Sequence, residues 1–209
     1  MSRRRAATLL AAAAAALGAA GCSSLFGGDV PDPTFYVWRD AGTAAPAAQV
    51  SPHRLILAPT QTATFYDSQR IAFSRSPGTR DRYELAWWTE RPGKRFDVLL
   101  AERLERRAAF AAFAAMTSAT RGDLMLAVTI LDIYHDDQRS PGVAHVALTA
   151  EVVDLRSRAL LARRSFRAEP PLAGENPAAA VAAFDAAATR LLDELVPWIE
   201  TAAAKAPLR

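Results

Sequence analysis

The chain has 209 residues, 51% of them hydrophobic, with 25 Lys and Arg against 22 Asp and Glu. The surplus of positive charge lies in Arg3, Arg4 and Arg5; from Cys22 onward the charges balance at 22 against 22, which leaves no clustered basic surface for nucleic acid. One cysteine in the whole chain, Cys22, excludes an intrachain disulfide, so stability has to come from an apolar core.

The basic triplet opens a segment with three parts. Leu9 to Ala20 is an apolar stretch of 12 residues, and Ala19-Ala20-Gly21 puts small side chains directly before Cys22. Twelve apolar residues fall well short of the ~20 that a membrane-spanning helix needs, so residues 1–21 read as a cleaved lipoprotein signal peptide. Ala19 stands where leucine is usual in such signals, and Leu17 lies two positions further back. Cys22 is then the lipidation site: its thiol takes a diacylglycerol, and an acyl chain on the new amino terminus adds the second anchor that a single chain lacks. Ser23, rather than Asp, follows the cysteine and favours the outer membrane over retention in the inner one. Residues 22–33, with Gly27, Gly28, Pro31 and Pro33, form a lipidated tether reaching roughly 20 Å as a coil.

Residues 34–204 are expected to form a single domain. Strands are predicted over Phe35 to Trp38, His53 to Ala58, Thr64 to Arg75 and Arg82 to Thr89, with residues 39–52 a loop marked by Gly42, Pro46 and Pro52. Pro92 opens a helix in which Phe96, Leu99, Leu100 and Leu104 recur at spacings of three and four. A turn at Phe110 to Phe113 follows. Leu124 to Tyr134 is apolar on both alternating faces, so both are expected to be buried. Asp136 to Gly142 is a loop, and strands from Val143 to Leu155 and from Ala159 to Arg167 complete an antiparallel meander. Asn176 is the N-cap of a final helix with Pro177 at its first position and Val181, Phe184, Ala188, Leu191, Leu195 and Ile199 on one face. Pro197 should kink or end it. The fold class is α+β, an α/β sandwich: a mixed, largely antiparallel sheet with two main helices packed on it.

The order of these pieces resembles the ABC-type transport auxiliary lipoproteins, the group that includes the PqiC-like periplasmic proteins. Phe35-Tyr36-Val37 soon after the cysteine, the strand ending at Ala58-Pro59, the Gln69-Arg70-Ile71 block and Trp87-Trp88-Thr89-Glu90-Arg91-Pro92 carry the resemblance. It implies an accessory component of an ABC lipid-transport system containing mammalian-cell-entry (MCE) domain proteins. Such a component is anchored in the outer membrane, faces the periplasm, and leaves ATP chemistry to other chains.

The residues agree that chemistry is not local. There is no phosphate-cradling Gly-x-x-x-x-Gly-Lys loop, no Gly-x-Ser-x-Gly elbow and no His-Glu-x-x-His pair. No catalytic residue, cofactor or metal is expected. His135, Asp136 and Asp137 would meet His145 if the hairpin turn centred on Ser140, but a hairpin tip is an ordinary place for solvated His and Asp. Contact residues are sought instead among aromatic side chains. Trp87 and Trp88 are adjacent on a strand and must face opposite sides; Trp198, after Pro197, caps the core or meets a partner. Trp87, Trp88 and Trp198 are therefore the candidate contacts for a partner or lipid. Three functions remain in view: a transport auxiliary acting by protein contact, as a monomer or as a homo-oligomeric collar; a lipid-shuttling lipoprotein with its own apolar cavity; and a structural envelope lipoprotein.

Overall fold

The computed structural model describes residues 31–118 and 120–207. The segment read as a signal peptide, Cys22 and most of the expected tether lie outside the described residues. From Pro33 onward the chain is one compact unit.

A thirteen-residue strand, β7 (Leu124–Asp136), organises the sheet. Along one edge it is met in turn by three parallel partners: β2 (Ser51–Leu57), then the two-residue β3 (Gln61–Thr62), then β4 (Arg70–Ser74). Along the other edge β8 (Val143–Asp154) pairs with it antiparallel over its whole length, and β9 (Leu160–Ala168) pairs with β8 in the same sense. Beyond β4 lie β5 (Asp81–Trp88), antiparallel to β4, and β1 (Thr34–Tyr36), parallel to β5. Beyond β2 lies β6 (Phe110–Ala115), parallel to it. The nine-stranded sheet is mixed, and its two longest ladders are antiparallel, as the sequence pattern implied.

Helix α1 (Pro92–Arg107) and helix α2 (Pro177–Ala203) supply the second layer. Pro177 sits at the start of α2 and the Asn176 side chain accepts the Ala179 N–H at 2.8 Å, the expected cap. The helical layer and the inward sheet residues form one core, with Phe96, Leu99 and Leu104 of α1, Phe184, Leu191 and Ile199 of α2, and Leu124, Leu126, Val146 and Leu148 of the sheet. Phe96 and Phe184 are wholly buried, each contributing about 2–3 kcal/mol of transfer free energy.

Several expectations change. The stretch predicted as a strand from Thr64 is first a turn, with the N–H groups of Tyr66 and Asp67 both bonded to the Ala63 carbonyl, and becomes a strand only at Arg70. Phe110 to Phe113 is not a turn but part of β6, because β2 offers it a free edge. Pro197 does not end α2: the proline removes one N–H, but Ile199, Ala202 and Ala203 beyond it are buried and hold the last turns to the core. In β7 the two faces are not equally buried. Leu124, Leu126, Val128 and Ile130 face the helices, whereas Leu131 is 43% exposed. Ile130 pairs with Leu148 and Asp132 with the next residue, Ala147, so Leu131 is the extra residue of a bulge that reverses the alternation and turns Ile133 inward.

Between β1 and β2 the chain is clamped to both helices. Trp38 Nε1–H donates to the Phe184 carbonyl at 2.8 Å, its ring meets Phe96 and Trp88, and its own carbonyl accepts from Arg95 Nε at 2.7 Å. Two residues on, the Asp40 carboxylate takes a bidentate bond from Arg103, at 2.6 and 2.8 Å, and further bonds from Arg106, Thr189 and the Gly42 N–H. Arg103 also reaches Asp193 of α2. Burial opposes ionisation of Asp40, but the hydrogen bonds from Arg103, Gly42 and Thr189 outweigh it and hold the carboxyl below its usual range.

Candidate contact surface

Adjacent residues of β5 fall on opposite faces of the sheet. Trp88 points into the core, 3% exposed, with its ring edge-on to Phe184 and close to Trp38. Its expected role as a contact gives way to a packing role, because both helices cover that face. Trp87 points the other way and is half-buried. Register places Phe35 of β1 directly beside it, 6.1 Å between ring centroids, and Phe35 is 55% exposed. On the other side β4 places Arg70 opposite Trp87, and its guanidinium lies 4.5 Å from the indole centroid. Trp87 Nε1–H is held by the Glu84 carbonyl at 3.0 Å, and Leu85, two residues back on the same face, is exposed.

Beside this row Ser68, Arg70, Asp81 and Arg82 line a shallow depression of about 300 Å³. Arg82 is fixed there by stacking 4.1 Å from the Phe65 centroid and by donating to the Phe65 carbonyl at 2.9 Å. The turn before β4 is set by Gln69, whose side-chain amide donates to the carbonyls of Trp88 and Thr89 at 3.3 and 2.8 Å. The Gln69-Arg70 pair thus ties β4 to β5 and places a guanidinium over the half-buried indole. Phe35 and Arg70 escape a sequence search for contact residues because only strand pairing brings them to Trp87; the signal that was available is the proximity of Phe35 to the cysteine.

Trp198 lies elsewhere. It is half-buried on α2, edge-on to Phe166 of β9 at 5.5 Å, so it seals the sheet–helix seam. A separate open groove of about 540 Å³ runs between residues 47–53 and the end of α2, lined by Ala47, Val50, Pro52, Ala204 and Ala206 and crossed by the Arg107–Glu200 ion pair at 2.6 Å.

The histidines do not converge. Tyr134 pairs with His145 and His135 with Ala144, one step away from a turn centred on Ser140, so the two imidazoles lie on opposite faces of the hairpin. His145 stacks on Tyr134 at 4.8 Å and bonds Glu169 at 2.8 Å through Nδ1. His135 Nδ1 shares a hydrogen bond of 2.7 Å with the Tyr83 hydroxyl, and burial lowers its pKa despite Asp137 and Asp136 nearby. Burial, reinforced by Asp137, pushes the Tyr83 hydroxyl up to about 12. Gly142 closes over His135: a Cβ there would stand 2.5 Å from Nε2. Among the described residues no group of three or more His, Cys, Asp or Glu is placed to hold a metal.

Residues 36–196 match the family described as ABC-type transport auxiliary lipoprotein component. The chain belongs to that family. Its members are auxiliary parts of transport systems, and the family's lipoprotein character agrees with the cysteine context read from the sequence. Among solved structures, protein XCC0632 from Xanthomonas campestris is similar, at 26% identity and TM-score 0.77, covering 82% of this chain and 97% of that one. The hypothetical protein CT253 from Chlamydia trachomatis shares the fold at 13% identity and TM-score 0.54, over 74% of this chain and 99% of that one. No curated protein matches. Among the described residues of this family member no helix is long and apolar enough to cross a membrane.

Proposed function

We propose that this chain is an outer-membrane lipoprotein facing the periplasm, anchored through Cys22, that serves as the non-catalytic accessory component of an MCE-type ABC lipid-transport system and acts by protein contact. The observation that carries the reading is the family match over residues 36–196. The signal-like segment ending at Cys22 and the Ser at position 23 support the anchor and the membrane. The buried Asp40–Arg103 pair is engaged in tying the segment between β1 and β2 to the helices, which fits a structural rather than a catalytic use of these charges.

Affinity capture of the tagged lipoprotein from detergent-solubilised envelopes after mild crosslinking tests this. An MCE-domain protein recovered with its permease and ATPase is the expected result. Recovery of phospholipid alone, with none of these chains, would replace the reading by a lipid-shuttling one. Cys22→Ala should move the protein from the outer-membrane fraction to the periplasmic one, and retention in the membrane would refute the anchor.

A further inference from the structure

The exposed row on β1, β4 and β5 combines three features. Its apolar members, Phe35 and Leu85, are 55% and 38% exposed, on the face of the sheet away from the helices, and Trp87 lies between them. Exposed apolar side chains gathered in one place mark a surface that meets something else. The row carries guanidinium groups close over rings, Arg70 over Trp87 and Arg82 over Phe65, and neither has a carboxylate within ion-pair distance among the described residues. Their free N–H groups, with the Ser68 hydroxyl, line the depression that also holds Asp81. Guanidinium forks match phosphate oxygens, and Asp81 offers a negative group to a neighbouring ammonium. The third feature is where the chain enters. The tether joins the body at β1 itself, and Phe35 follows Cys22 by 13 residues, a span of at most about 45 Å fully extended.

We infer that this row is a bilayer-docking face, on which Phe35, Leu85 and Trp87 enter the headgroup layer of the membrane holding the anchor while Arg70 and Arg82 bind lipid phosphates. Tryptophan beside arginine is the pairing that suits this layer, since the indole has an apolar body with one polar atom and the arginine stem can lie along apolar groups with its head in the phosphates. The acyl chains supply attachment; the face supplies orientation. In the sheet order β6 ends the path that begins at β1, and β9 pairs with β8 alone. The inference rests on the anchoring part of the proposed function and is independent of the MCE partner.

The test uses the full mature lipoprotein, its acylation verified by mass, reconstituted in phosphatidylethanolamine–phosphatidylglycerol vesicles with and without lipids brominated near the headgroup end of the acyl chain. Of the four tryptophans, Trp38 and Trp88 are buried. Trp198 packs on Phe166 at the seam between sheet and helix, so bromolipid should quench the share of Trp87 alone. Trp87→Phe should abolish that quenching, Trp198→Phe should leave it, and Arg70→Glu with Arg82→Glu should reduce it at least twofold, with circular dichroism confirming the fold of each. Absence of quenching in acylated protein, or quenching that survives Trp87→Phe, overturns the docking face and leaves the MCE reading untouched. Quenching that appears only when an MCE-domain protein is removed assigns the row to that partner and also overturns it. Protein without acyl chains overturns the anchor and, with it, this orientation.

Discussion

Replacing Arg103 by Met tests the clamp between the two helices. The methionine keeps most of the apolar stem and removes the charge from a side chain that is 3% exposed, leaving the Asp40 side chain, 1% exposed, with a negative charge and its main partner gone. Breaking a buried pair by removing one member costs about 3–5 kcal/mol, since the remaining charge is neither hydrated nor paired. Arg106, still 2.8 Å from Asp40 Oδ2 and 39% exposed, brings the expected loss toward the lower end. For a body of this size each kcal/mol shifts Tm by about 2–4 °C, so a loss near 3 kcal/mol for Arg103→Met should lower it by roughly 6–12 °C. Asp193, the other acid on Arg103, is 53% exposed, and Asp193→Ala should cost less than about 1 kcal/mol. Urea unfolding followed by circular dichroism provides the measurement, and a double-mutant cycle isolates the pair: Asp40→Ala in the Arg103→Met background should cost far less than in the native protein. Because the folded carboxyl of Asp40 ionises below its ordinary 3.8, its contribution is present above that pH and is lost as pH falls through the depressed value. A loss under about 1 kcal/mol for Arg103→Met, or additive single effects, would refute the clamp.

Asp185, on the same seam, behaves in the opposite sense. Burial raises its pKa to about 6 despite the Arg39 N–H bond, so the folded state holds a proton there that the unfolded state has released, and stability falls as pH rises from about 4 to 6. Asp185→Asn keeps the acceptor for Arg39 and should make Tm at pH 7 higher relative to pH 4 than in the native protein; an unchanged difference between the two pH values would show that the carboxylate is solvated. Ala108, which ends α1 at φ 48° with its N–H on the Leu104 carbonyl, is exposed and occupies a left-handed conformation that favours glycine. Ala108→Gly should stabilise the protein by about 0.5–1 kcal/mol, seen as a higher urea midpoint, and a lower midpoint would contradict the strain.

The local pattern was enough for every element whose signal is local. The Asn176-Pro177 start of α2, the Phe96–Leu104 spacing of α1 and the alternation through β7, β8 and β9 each lie within one continuous segment, and each element is where that pattern puts it. What the tertiary structure decided depends on partners distant in sequence. β6 is a strand because β2 presents an edge, and β3 is two residues that pair only because β7 passes them. The bulge at Leu131 reverses a face that alternation alone predicts uniformly buried, and a one-residue difference in hairpin register separates His135 from His145. Adjacency fixed that Trp87 and Trp88 face opposite ways, but only the placement of both helices on one side decided that Trp88 is the core residue. Arg103 and Asp40 are 63 positions apart, and the surroundings of Trp87 come from β1 and β4. Period and capping are properties of a single segment, whereas exposure, register and charge pairing exist only once segments are packed against one another.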